Sequence, residues 1–320
     1  MQRIAREDAM NYEFNKDLPP SIRVDEHEEF IVETEDALSG KVRTEKDLPI
    51  AETFGELLTS NPVKTNPVTN PIYVNGAEPG DVLAVEIVDI IPDKQGVTCI
   101  IPGIGPLKDS HTWAAGRGPS THIIKHLPGP SGTTSDGTGI LNDRITWKLH
   151  PFIGTIATMP EREIRASVTG QGTWGGNIDV RDVCKGNIVY LPCAHKGGLL
   201  CVGDVHGSQG DTEFTGLANE TRSELRLKCS VVKQKTIPFV RIETPDSIIQ
   251  LNCYRPLEDG VKQAIFWLME WLVEDYNMDR AEAYIHMTAN PDVRVNVYQM
   301  VAIGEINYTA GVEFPKKYLK

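Results

Sequence analysis

The sequence predicts a mainly β fold: a β-sandwich or distorted barrel over residues 1–250, then a smaller α+β module over residues 251–320, either separate from the first region or packed with it as one unit. Three observations predict it. Short alternating runs rich in β-branched residues recur through the first 250 positions. The 28 glycines and 21 prolines are scattered between those runs, where they punctuate turns rather than interrupt helices. Past Pro256 the apolar period changes from two to three or four.

The strand runs are 30–34, 82–88, 188–191, 199–202 and 225–232, and Pro79-Gly80-Asp81 supplies a turn before the second. No helix of three turns or more is expected in this region. Residues 102–150, rich in Gly, Pro, Ser, Thr and His, read as a long excursion, either over a site or as a variable surface loop. Leu257, Val261, Ile265, Leu268 and Leu272 then form one apolar stripe on a helix ending near Tyr276. Glu258 and Asp259 occupy its first turn, where the helix dipole favours negative charge. Residues 279–289 read as a second helix, stopped by Asn290-Pro291, and 293–298 as a strand.

Bulk properties narrow the partners. The net charge of -12 repels a phosphate backbone, so nucleic acid is not an expected partner. It suits cations, and equally plain solubility. No apolar run approaches the ~20 residues of a membrane span, and the first 25 residues lack a signal-peptide core. A cytoplasmic location is expected. The six cysteines include no Cys-x-x-Cys pair, so they read as small, reduced, buried side chains rather than nucleophiles.

Chemistry concentrates in Gly203-Asp204-Val205-His206-Gly207-Ser208-Gln209-Gly210-Asp211-Thr212-Glu213. On a strand, Asp204 and His206 project from one face, and Asp211 and Glu213 repeat that spacing. Glycines 203, 207 and 210 permit a reversal between the pairs. Mixed carboxylate and imidazole donors suit zinc or a similar divalent ion, whereas an all-oxygen set suits calcium. Asn177 with Asp179, and Thr34 with Asp36, are further pairs of this kind. Gly175 and Gly176 let backbone approach a ligand closely.

These residues resemble the acetamidase/formamidase family. Residues 203–213 look like its Gly-Asp-x-His-x-x-Gln-Gly-Asp-x-Glu signature, and Gly175-Gly176-Asn177-Ile178-Asp179 like its preceding motif. The segments 33–37, 66–81, 189–192 and 197–199 resemble further family motifs, so the likeness runs in order from about residue 25 to 310. The resemblance implies a mostly β N-terminal region, a small α+β C-terminal region and a divalent metal, with zinc or calcium. It also implies a dimer or higher homo-oligomer, and hydrolysis of a short amide such as formamide or acetamide to acid and ammonia. Two positions depart from the family pattern: Trp174 stands where histidine is usual, and Thr212 where glycine is.

Asp204 and His206 are thus expected to hold the metal, with Asn177, Asp179 or Asp36 completing the set. Asp211 or Glu213 is expected to move the proton, with Glu220 in reserve. Trp174, Gly175, Gly176 and Gln209 are expected to face the substrate, Trp174 as an apolar wall. Two rivals are weighed. Nucleophilic catalysis lacks a Gly-x-Ser-x-Gly elbow. A calcium-dependent β-sandwich binding module would use the same acids as structural ligands.

Overall fold

A computed structural model describes residues 1–319 apart from 302, 303 and 305. The predicted runs form strands with ends shifted by one to four residues: Glu29–Thr34, Val82–Pro92, Ile188–Pro192, Leu200–His206 and Ser223–Val232. A nine-stranded sheet runs Gln2–Ile4, Glu29–Thr34, Ser223–Val232, Val82–Pro92, Ile188–Pro192, Arg241–Glu243, Ser247–Tyr254, Tyr308–Pro315, Arg294–Gln299. Only its first pair is parallel. A six-stranded sheet includes Gly175–Asn177, Phe152–Thr158, Leu200–His206 and Ile72–Val74. The fold is mainly β, as expected, but none of the sheets among the described residues closes into a barrel.

The two larger sheets face each other across the main core. Val32, Leu83, Val85, Leu191 and Leu225 meet Ile153, Ile156, Leu200, Val202 and Val205, all fully buried. The larger sheet continues across residue 250, because Ser247–Tyr254 pairs with Arg241–Glu243 on one side and Tyr308–Pro315 on the other.

The apolar stripe past Pro256 is the helix Leu257–Tyr276, which buries Ala264, Leu268, Trp271 and Leu272 on Ile248, Val312 and Phe314 of that sheet. Asn277 ends it in the left-handed conformation, and Asp279 caps Arg280–Ala289 by accepting from the backbone N–H groups of Ala281 and Glu282. One element went unforeseen: the nine-residue helix Ala51–Thr59, too short and too interrupted by Gly55 for a clear period. It sets Phe54 and Leu57 against Leu38, Val42, Val97 and Cys99. Part of the 102–150 excursion forms the strands Ser120–Leu127, Thr138–Asn142 and Ile145–Lys148, in a four-stranded sheet with Gln95–Ile100.

Candidate active site

Leu200–His206 is buried along its whole length, as a strand between two neighbours must be. Phe152–Thr158 pairs with it through 152, 153 and 155–158, and the ladder breaks opposite Gly154. There Asp204 takes φ +55°, turning its carboxylate out of the pleat. A Cβ on Gly154 would lie 2.7–2.9 Å from Asp204 O, Asp179 Oδ1 and Asp204 Oδ2, so only glycine admits both acids. The Gly154 carbonyl accepts from the N–H groups of Ile178 and Asp179, which fixes Asp179 beside Asp204.

Glu220 comes from the opposite side. Gly207 N donates to Asn219 O and Thr221 N to Val205 O, clamping Glu220 against His206. Glu213 follows Gly210 on a turn, not a strand, with Thr212 at φ +74° and Glu213 at φ +47°. Asp179, Asp204 and Glu213 therefore all sit on left-handed backbone, a costly choice for residues other than glycine that recurs where side chains must be aimed.

The result is a cavity of about 240 Å³ with Asn177, Asp179, Asp204, His206, Glu213, Glu220 and Gln299 in its lining. All seven are buried. His206 Nε2 lies 3.5 Å from Asp204 Oδ1 and 3.2 Å from Glu220 Oε2. Ligand atoms of Asp179, Asp204 and His206 lie within 4.8 Å of one another, as do those of His206, Glu213 and Glu220. Asp179 Oδ1, Asp204 Oδ1, Glu220 Oε2 and Gln299 Oε1 are buried with no hydrogen-bond partner. Unsatisfied buried acceptors cost about 1–3 kcal/mol each, more when charged, so four in one cavity call for a cation or protons between them.

The electrostatics agree. Burial, then Asp204, pushes the Asp179 carboxyl up to about 7. Burial, then Asp179, holds Glu213 well above the carboxylate range. Burial also raises Glu220, against the pull of His206. Burial opposes a charge on His206, but Glu220 and Asp204 outweigh it and keep the imidazole protonated well above its ordinary value. The fold thus concentrates negative charge with one histidine as its counter-ion.

The imidazole is oriented by Gln209. Its amide nitrogen donates to Asp179 O and Tyr298 O, so its Oε1, 2.9 Å from His206 Nδ1, must accept. Nδ1 carries the hydrogen, and Nε2 presents its lone pair to the acids once neutral, the arrangement typical of a metal-binding histidine.

Several expected residues lie elsewhere. Asp211 is not beside Glu213: the left-handed Thr212 turns it to the surface, where it pairs with Arg181 at 2.9 Å. Asp36 is buried but does not line the cavity, its Oδ1 accepting from Leu38 and Gly40 N–H and its Oδ2 paired with Arg43. Trp174 lies outside the cavity with its ring 4.9 Å from Phe14, so that departure from the family pattern falls outside the acid cluster. Gly175 and Gly176 do not face the cavity. A Cβ on either would collide with the carbonyl of Ile156 or Gly170, and their glycines serve strand pairing at φ +97° and +108°. Gln209 holds the histidine rather than lining the cavity. Asn177 lines it, but Oδ1 is 2.9 Å from the Thr155 hydroxyl and Nδ2 donates to Val168 O. Gln299, Gly154 and Thr155 carried no spacing signal. The cysteines are all buried, and burial pushes Cys201 and Cys253 up to about 12, far from a thiolate nucleophile.

Thr212 offers a stability test. A β-branched residue at φ +74° costs ~1–3 kcal/mol, and glycine gives back part of the gain through its freer unfolded chain. Thr212→Gly is expected to stabilise by about 1 kcal/mol, read by calorimetry as a Tm rise of roughly 2 °C. A lower Tm would show that the threonine side chain contributes more than its backbone costs.

Comparison with known proteins places this geometry. The model of the acetamidase/formamidase family matches residues 2–173 and 167–316. The crystal structure of an acetamidase from Yersinia enterocolitica superposes with a TM-score of 0.85 at 30% identity, covering 100% of this chain and 93% of that one. An acetamidase from Bacillus halodurans gives 0.84 at 27% identity, with 99% and 98% covered. A formamidase from Methylophilus methylotrophus is 25% identical over 280 residues, 69% of this chain and 63% of its own. The chain spans 60–63% of the length of the curated relatives it matches.

Proposed function

The chain belongs to the acetamidase/formamidase family, and from that premise we propose that it hydrolyses a small linear amide to a carboxylic acid and ammonia with the help of a divalent cation, zinc ahead of calcium. The observation that carries this reading is the set of buried carboxylate oxygens of Asp179, Asp204 and Glu220, which have no donor but His206, around the lone pair that His206 Nε2 presents once neutral. Mixed oxygen and nitrogen donors favour zinc. Asp204, His206 and Asp179 would hold the cation, because Asn177 is committed to hydrogen bonds and Asp36 lies elsewhere. A bound cation supplies polarisation of an amide carbonyl and a lowered pKa for water, from 15.7 to about 7.

The protein's own groups divide the proton work. Glu220 is anchored through Oε1, which accepts from Ala218 N–H at 2.9 Å, while Oε2 is free. Oε2 takes the proton from the attacking water. Glu213, kept protonated by burial and Asp179, gives its proton to the leaving nitrogen, which departs as ammonia. A proton passes back from Glu220 to Glu213 to close the cycle.

The alternative of a calcium-dependent binding module is not favoured: the acids are buried in the lining of a cavity rather than set at exposed strand ends, and the matched relatives named above are amidases. Partners beyond the amide are open to the same proposal, a homodimer or larger assembly being the one the family likeness suggests.

Elemental analysis of purified protein, followed by ammonia release from formamide and acetamide, tests the reading. About one divalent ion per chain is expected in the wild type. Asp204→Asn is expected to lose the ion and at least about a hundredfold in turnover. Full activity in a metal-free Asp204→Asn protein would remove the proposal.

A further inference from the structure

The acids make up only part of the cavity's lining, and we propose that the apolar remainder selects a primary amide with an apolar acyl chain longer than acetyl, roughly four to seven carbons. This inference rests on the amidase reading above and specifies its substrate. The cavity of about 240 Å³ equals the liquid volume of roughly eight waters at ~30 Å³ each, several times what formamide fills. Beyond the acids, its lining is mostly apolar and includes Leu38, Phe54, Ile101, Ile104, Val301 and Ile306.

None of these six side chains offers a hydrogen bond or a charge. Leu38, Phe54, Val301 and Ile306 are buried, and Ile101 and Ile104 are half-buried. They come from separate parts of the chain and meet in the lining of the cavity that holds the carboxylates. A ligand held there has its polar end at the acids and an apolar end along the wall. A charged chain would lose its hydration against this wall and find no opposite charge there, since the other polar residues in the lining, Thr65, Asn66 and Thr169, are neutral. Formamide and acetamide would leave most of the wall uncovered. The wall therefore contributes to discrimination in proportion to the apolar area it covers, which amounts to about fourfold in kcat/KM per methylene.

The test uses the full-length, metal-loaded protein and ammonia release from formamide, acetamide, butanamide, hexanamide and succinamic acid. A rise of about fourfold per methylene from acetamide to hexanamide, with succinamic acid far below butanamide, is the expected result. A rate that peaks at formamide or acetamide and falls along the series overturns the inference while leaving the amidase reading intact. Should no amide turn over, the amidase reading fails, and titration calorimetry with hexanamide and acetamide still decides the pocket: tighter binding of hexanamide supports it, equal or absent binding overturns it. Two filling variants check the wall itself. Ile104→Trp, and Leu58→Trp at a half-exposed lining position, are each expected to lower the hexanamide to acetamide ratio at least tenfold. An unchanged ratio in a folded variant overturns the assignment of the wall.

Discussion

Glu220→Gln is expected to lower kcat for amide hydrolysis by about 10²–10⁴-fold, with bound metal and KM changed by no more than about twofold. The substitution keeps shape and can still accept from the Ala218 N–H. What it removes is a free carboxylate oxygen, Oε2, buried 3.2 Å from His206 Nε2 and facing the cavity. An amide oxygen in that place cannot hold a proton taken from water. The result separates proton transfer from metal binding, because the cation set proposed here does not need Glu220. Loss of metal together with activity would move Glu220 into the cation set and leave Glu213 as the proton carrier. Retention of kcat would exclude Glu220 from the chemistry altogether. Glu213→Gln makes the matching comparison: it mimics the shape of a protonated acid but has no proton to give, so kcat falls there too.

What the sequence made legible follows from the range of its signals. Strand alternation and the helical stripe past Pro256 are local, and both kinds of element appear where they were expected. Asp204 and His206 do lie on one strand and line one cavity, although Asp204 reaches it from left-handed backbone. The same spacing failed at Asp211 and Glu213. Two residues apart face the same way only on extended backbone, and Thr212 at φ +74° breaks that condition. Asp36, Gly175 and Gly176 failed for a related reason: an acid after a strand and a glycine pair are each satisfied by local backbone needs, with no ligand required. Gln299 and the apolar wall were out of reach because their neighbours are remote in sequence. Leu38, Phe54, Ile104 and Val301 meet only through the fold, and no spacing rule joins them.

The stabilisation that zinc gives is expected to grow steeply with pH between about 5 and 8, and metal-free protein is expected to show the opposite trend. The sign follows from Asp179. Its folded pKa is raised to about 7 by burial and by Asp204, whereas an exposed aspartate titrates near 3.9. Between those values the metal-free fold binds more protons than the unfolded chain, so its stability falls as pH rises, by an amount on the order of 4 kcal/mol over the whole window. A cation reverses the balance. It requires Asp179 ionised and His206 neutral, and both hold protons in the metal-free protein at neutral pH or below. Binding therefore releases protons, and affinity drops by about ten- to a hundredfold for each pH unit below 7. Thermal melts with and without zinc, at fixed free-ion concentration across pH 5–8, measure both trends at once. The Tm increment given by zinc should be small at pH 5 and widen to several degrees by pH 8. An increment independent of pH would mean that the ion binds without displacing protons from Asp179 and His206, and the buried cluster would then not be its site.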